Sequence, residues 1–447
     1  MLCYYDRKRP KALVHTLSMF VCSKAGLTRK PAVMPIQCWD LHPISDYRYA
    51  YGDRRVVTDE FNPLTIHDYV SQALMTDQRS ESGSLTFSLL GLFGETGSLL
   101  SEVKKKQRDR ASYIGYAGAV VEELGDVLWY LTAVSARAGL SLAEIAGNLN
   151  RGYTDWQRAP DDTLTFASLQ PPIMNYRSEP TRAFEKTLLQ LAGEVGLLMT
   201  DHEAGRLTNN QAALAGHLVA IMRTMIQAAT EAGVTLEAAA VKNLNKIFDR
   251  WPHERICLAP LDGSAEVEEQ LPRDLYVDVF ERKIRDQTYV FQCCNGLNIG
   301  DRLTDNAMVI DDYRFHDVFH YAYVAVLTWS PVIRALFKLK RKSDPMIDEV
   351  QDGARATLIE EGVTTWIFGQ AVALNFFADV KVGELPFGIL KHVREFVAGY
   401  EVETIPLWLW EEAILQGYAA FRFLREHRRG RLHIDTNNRR LTIEKLP

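Results

Sequence analysis

The sequence predicts a mainly α-helical protein, with helical modules in tandem and a C-terminal helical domain that ends in a β-hairpin. Three observations carry this expectation. In VVEELGDVLWYL, Val120, Val121, Leu124, Val127, Leu128 and Leu131 form one apolar helical face, with acids on the other. The pattern of residues 89–156 returns downstream, so one helical unit is repeated. Near the end, RLHID-TNN-RRLTIE alternates around a turn and reads as a hairpin over 431–444.

Composition narrows the class. A chain of 447 residues holds two to four domains, and 47% hydrophobic with 24% charged residues is ordinary for a soluble globular protein. The net charge of -6 argues against a nucleic-acid partner. Six cysteines show no CxxC spacing, and the adjacent Cys293 and Cys294 read as reduced thiols of a cytoplasmic protein. The longest uncharged run, 362–378, includes Thr364, Thr365, Gln370 and Asn375, so it reads as a buried helix and not a membrane span. No signal peptide is read at the N-terminus.

Residues 1–33 form a basic extension, read as a poorly ordered tail, with an electrostatic arm or targeting segment as the alternative. Residues 34–63 are an irregular lead-in. The first helical unit covers 64–158 and holds the chemistry-bearing stretch, 91–131. Glu95 and Glu102 are seven apart on one helical stripe, with Ser98 between them. Glu123 and Asp126 form an i,i+3 pair, with Glu122 alongside. Acids crowded against an apolar helix repel one another and resist desolvation, and a divalent cation relieves both effects. The alternative is two solvated acidic faces. The third segment opens with Ser141 and Glu144, a capping-box pair.

GLFGETGSLLSEVKK followed by EELGDVLWYL resembles the MazG family of all-α nucleoside triphosphate pyrophosphohydrolases, which carries ExxE on one helix and ExxD on the next. The resemblance makes Glu95 the first acid of that set, Glu123 the third and Asp126 the last. The second falls on Ser98, a departure from the family pattern, and Glu102 stands one turn further along. It implies hydrolysis of an NTP or dNTP to the monophosphate and pyrophosphate, with Mg²⁺ or Mn²⁺ held by Glu95, Glu102, Glu123 and Asp126. Glu122 is then a further ligand or a base. Lys105, within the run Lys104 to Lys106, stands near enough in sequence to meet phosphates. Trp129 is either a base-stacking residue or core. Asn148 and Arg151, on one face of the third helix, occupy positions that approach the nucleotide in the family.

The second unit, 181–252, reads as a degenerate copy. It keeps Glu194 but places Leu197 at the Ser98 position, and His217 and Ala220 where Glu123 and Asp126 stand. It also carries Asn243, Lys246 and Arg250, the fuller version of the family's phosphate-side motif. Because MazG-like modules pair, the resemblance implies a pseudo-dimer with a composite site: metal ligands from one copy and Asn243, Lys246 and Arg250 from the other. The alternative is that the second copy is scaffold. A homo-oligomer is expected, and no membrane or nucleic-acid partner.

After a linker over 253–272, residues 273–430 read as a helical C-terminal domain and 431–447 as the hairpin. His316 and His320 share a helical face, with Asp317 adjacent and Glu360 and Glu361 on another predicted helix. Such a set can ligate a transition metal inside a bundle, or it can be hydrogen-bonded core. This domain resembles the C-terminal domain appended to some MazG-like proteins.

Overall fold

Thr65 opens the fold: its side chain accepts from the Asp68 amide and starts α1 (Ile66–Leu74). The computed structural model describes residues 63–77, 85–149, 162–173, 177–256 and 258–446. The basic extension, the lead-in up to residue 62 and Arg151 lie outside the described residues.

Two helical units follow in the same order. α2 (Leu85–Asp109), α3 (Tyr116–Arg137) and α4 (Leu142–Gly147) form the first. After α5 (Phe166–Leu169), α6 (Arg182–Glu203), α7 (Gln211–Ala232) and α8 (Leu236–Arg250) form the second. The capping box at Ser141 and Glu144 is present. Thr181, Asn210 and Thr235 cap α6, α7 and α8 through their side chains, and Gly233 at φ 71° stops α7.

The apolar stripes decide how these helices pack. α2 lies on α3 and α6 on α7, and the units then exchange partners, α3 with α8 and α4 with α7. Leu92, Leu99, Leu124, Leu128, Leu191 and Leu218 are fully buried, each contributing about 1.5–3 kcal/mol. On the α3–α8 seam the backbones themselves meet. A Cβ on Gly125 would stand 2.6 Å from the Ala239 carbonyl oxygen and 2.9 Å from Asn243 Cβ. α7 is long and apolar enough to cross a membrane, but most of it is buried within this bundle.

The C-terminal region combines helices with an antiparallel sheet. β1 (Asp274–Ile284), β2 (Gln287–Cys294) and β3 (Leu297–Leu303) precede α9 (Asp317–Leu327), α10 (Pro331–Phe337), α11 (Pro345–Val350) and α12 (Ala354–Ala373). Then come α13 (Phe387–Phe396), α14 (Leu407–His427), β4 (Arg429–Asp435) and β5 (Arg440–Glu444). The strand order is β3-β2-β1-β4-β5. α9 packs against α14, and both lie on β4 and β5. The uncharged run 362–378 forms the second half of α12 and the break after it, where Asn375, Phe376 and Phe377 take positive φ. Cys293 and Cys294 are free thiols.

Two expectations need correction here. The domain over 273–430 is not helical throughout, since it opens with three strands. DLYVDVF alternates, burying Leu275, Val277 and Val279 on one face, and Arg285 and Asn295 take the positive φ of tight turns. The terminal hairpin is therefore no separate appendage, because β4 pairs with β1 along seven residues, from Asp274↔Asp435 to Phe280↔Arg429. Nor is 253–272 simply a linker. Asp262 is buried there, accepts from the Leu271 amide and pairs with Arg273 and Arg334.

Candidate functional site

Glu95 on α2 and Glu123 and Asp126 on α3 bring carboxylate oxygens within 4.8 Å of one another. The i,i+3 spacing of Glu123 and Asp126 puts both on the face that meets α2. All three carboxyls are raised. Burial and the neighbouring Asp126 and Glu95 push Glu123 up to about 7. Burial, then Asp126, raises Glu95, and burial raises Asp126 against the opposing pull of Lys246. An oxygen-only set carrying more negative charge than it can comfortably ionise fits a hard divalent cation such as Mg²⁺ or Mn²⁺.

The second unit reaches this cluster. Asn243 Nδ2 donates to Asp126 Oδ1 at 3.0 Å. Lys246, one turn further along α8, donates to Asp126 Oδ2 at 2.5 Å and lies 3.1 Å from Glu122 Oε1. Gly125 makes the approach possible by letting α8 close on α3. Behind Asn243, the buried Tyr69 hydroxyl donates to its Oδ1 at 3.0 Å, which fixes the amide with its NH₂ toward Asp126. α13 of the C-terminal domain borders the same place. Lys391 Nζ is 3.5 Å from Glu122 Oε1, and Lys246 lies over the Phe387 ring at 5.6 Å. Burial works to raise Glu122, but Lys246 and Lys391 outweigh it and hold the carboxyl below its ordinary value.

Other sequence-derived candidates stand elsewhere. Glu102 is buried, accepts from the Tyr113 hydroxyl and pairs with Lys105 at 2.5 Å. It is outside the three-acid group, because seven residues advance a helix by about 10 Å. Lys105 is thereby committed to Glu102. Ser98 offers Glu95 only a hydroxyl, which works to lower the Glu95 carboxyl, instead of a second carboxylate. Trp129 donates through its indole to the Ala73 carbonyl and to Thr76, which anchors it on α1 and its end. The hydroxyl of the neighbouring Tyr130 is raised, by burial and then by Glu95 and Asp126. Asn148 caps α4, its side chain donating to the Glu144 carbonyl. Arg250 turns to the C-terminal domain, donating to the carbonyls of Gly383 at 3.3 Å and Leu385 at 2.5 Å.

A second group forms in the C-terminal domain. His316, Asp317 and His320 bring ligand atoms within 4.8 Å of one another. Glu361 approaches His320 Nε2 at 3.5 Å, and Glu360 holds His320 Nδ1 at 2.8 Å. Burial opposes charge on His320, but Glu360 and Glu361 outweigh it and its pKa lies well above the ordinary value.

Sequence reasoning did not find Tyr69, Tyr113, Lys391 or Gln292. None shares a helix with the residue it serves: Tyr69 is 174 positions from Asn243, and Tyr113 lies beyond the end of α2.

Residues 257–447 match the family model of the MazG C-terminal domain. The C-terminal region is thus a MazG-associated domain, and its start coincides with the segment around Asp262 that packs into it. No curated protein and no solved structure matches the chain.

Proposed function

We propose that the chain is a nucleoside triphosphate pyrophosphohydrolase dependent on Mg²⁺ or Mn²⁺, with one composite cleft built by both helical units. The observation that carries this reading is the convergence of Glu95, Glu123 and Asp126 with Asn243 and Lys246 across the α3–α8 seam. The MazG-associated C-terminal domain supports a nucleotide-related activity.

In this reaction water attacks the α-phosphorus. A new P–O bond forms, the bond to the bridging oxygen breaks, pyrophosphate leaves, and the proton shed by the attacking water passes to solvent. Glu95, Glu123 and Asp126 would hold the cation, which would neutralise phosphate charge and the charge developing on the leaving group. Lys246 and Lys391 would receive phosphate oxygens as the triphosphate displaces their present partners. Asn243 orients Asp126. Glu122, whose proton affinity is lowered by the two lysines, is a poor base and serves to hold them.

The test is a panel of standard and damaged NTPs and dNTPs, offered with Mg²⁺ or Mn²⁺ to the full chain, with product identification. Monophosphate and pyrophosphate are expected from at least one, and Glu123→Ala should lose about 100-fold or more in rate. Absence of pyrophosphate from every nucleotide would sink the enzyme reading. A nucleotide sensor with weakened metal binding is the second reading, favoured by Ser98 and by the commitment of Glu102 to Tyr113 and Lys105.

A further inference from the structure

We propose that the C-terminal domain carries a metal centre of its own, selective for a divalent transition metal, with His316, Asp317, His320 and Glu361 as ligands. It is independent of the acidic cleft and stands on different residues.

The first support is orientation. His320 is fully buried, and its Nδ1 pairs with Glu360 Oε1 at 2.8 Å. Glu360 is itself fully buried and also accepts from Ser330 Oγ at 2.6 Å and from the Val332 amide at 2.8 Å. A carboxylate so held is an acceptor, so Nδ1 carries the proton and Nε2 is turned into the cluster. His316 Nδ1 lies 2.9 Å from the Tyr313 carbonyl, which can only accept, so this ring too presents Nε2, 3.0 Å from Asp317 Oδ1. The Tyr313 ring stacks on His316 at 4.5 Å and fixes its plane. Asp317 Oδ2 accepts from Gln292, and the Tyr321 hydroxyl fixes Gln292 at 2.7 Å. Thus both imidazoles and the aspartate have an outer partner. Metal ligands characteristically have such partners, which set tautomer and direction.

The second support is an unmet polar atom. Among the described residues, His320 Nε2 is buried without a hydrogen-bond partner. Glu361 Oε2 stands 3.5 Å away, beyond good hydrogen-bond length. Protonated, this nitrogen is a buried donor without an acceptor; deprotonated, it is a buried lone pair. Either state costs about 1–3 kcal/mol. A metal ion at the junction satisfies it.

Two imidazole nitrogens and two carboxylates suit Zn²⁺, Mn²⁺, Fe²⁺ or Co²⁺, whereas Mg²⁺ favours oxygen alone. Entry is from the Glu361 side, where that side chain is 38% exposed and the Tyr313–Thr365 hydroxyl pair also faces solvent.

The experiment titrates the chelator-treated full chain with Co²⁺ and follows visible absorption in the presence of excess Mg²⁺. One equivalent of cobalt should give ligand-field bands that Mg²⁺ does not abolish and that Zn²⁺ displaces. His316→Gln should abolish them, and Glu361→Gln should weaken cobalt binding about 10-fold or more. Glu123→Gln, in the other cluster, should leave them unchanged. Glu361 is partly exposed, so Glu361→Gln keeps the test decisive if His316→Gln fails to fold. The proposal is overturned if wild type gives no Mg²⁺-resistant bands, or if folded Glu361→Gln and His316→Gln proteins bind cobalt as wild type does.

Discussion

Asn243 donates to Asp126 at 3.0 Å, and that bond joins the two helical units at the acidic cluster. The residues lie 117 positions apart and meet because Gly125 lets α8 seat against α3. Lys246 repeats the contact one turn later. The cluster therefore depends on both units for its geometry as well as for its charge balance.

Lys246 and Arg250 share a helix and should separate by phenotype. Lys246→Met is expected to lower pyrophosphate release or nucleotide affinity about 10-fold or more, because on the proposed reading one partly buried cation that would meet the phosphates is lost. Arg250→Ala should instead destabilise the fold by about 2–4 kcal/mol, since it strands the Leu385 carbonyl and the ring faces of Trp251 and Phe387. Urea denaturation and steady-state kinetics distinguish them. A stable but inactive Arg250→Ala protein would return Arg250 to the nucleotide.

Ser98→Glu should tighten Mn²⁺ binding about 10-fold, because it adds a fourth carboxylate one turn from Glu95, where only a hydroxyl now meets it. Titration followed by the resonance signal of free Mn²⁺ measures this. Unchanged affinity would mean that three carboxylates suffice.

Gly125→Ala adds a methyl group 2.6 Å from a backbone oxygen, which cannot move as a side-chain tip would. A loss of about 1–3 kcal/mol follows. It should be read as a lower urea midpoint at unchanged slope. Wild-type stability would show that the α3–α8 seam opens without cost.

Asp312 stands at the start of the turn Tyr313–Phe315 that leads into His316, and its ion pairs are pH-dependent. Burial works to raise its carboxyl, but Arg428 and Arg425 outweigh that and hold it below the ordinary aspartate range. Its stabilisation is therefore present above the unfolded value and is lost as the pH falls through the folded one. Asp312→Asn keeps a residue that tolerates the local φ of 68°. The variant should melt lower than wild type at neutral pH, and the gap should close in acid. A gap independent of pH would mean that charge is not what Asp312 contributes.

What could be read from sequence follows the range of the interactions. Glu123 with Asp126, and Asn243 with Lys246, lie at i,i+3 spacing, so each pair was legible within its own helix. Their facing across the seam was legible only through the internal repeat. Glu102 stands apart from the three acids, paired with Tyr113, which arrives from beyond the end of α2. The acceptors of Arg250 were not legible, because they are backbone carbonyls 133 and 135 positions away, which no side-chain pattern marks. The early strands were missed although DLYVDVF alternates, since the strand that completes their pairing lies some 150 residues on. The histidine cluster was legible as an i,i+4 pair, but not the Tyr313 carbonyl and Gln292 that aim it.

On α7, His217 is turned to Asp201 at 2.9 Å, at the position that the sequence repeat aligns with Glu123. A symmetric pair of modules would offer two equivalent clefts, each able to report on the other. Here the two units carry different side chains, and on the proposed reading the expected stoichiometry is one nucleotide per polypeptide. Saturation by a single chain would then be hyperbolic, with no homotropic coupling inside it. Any sigmoidal response must arise between polypeptides.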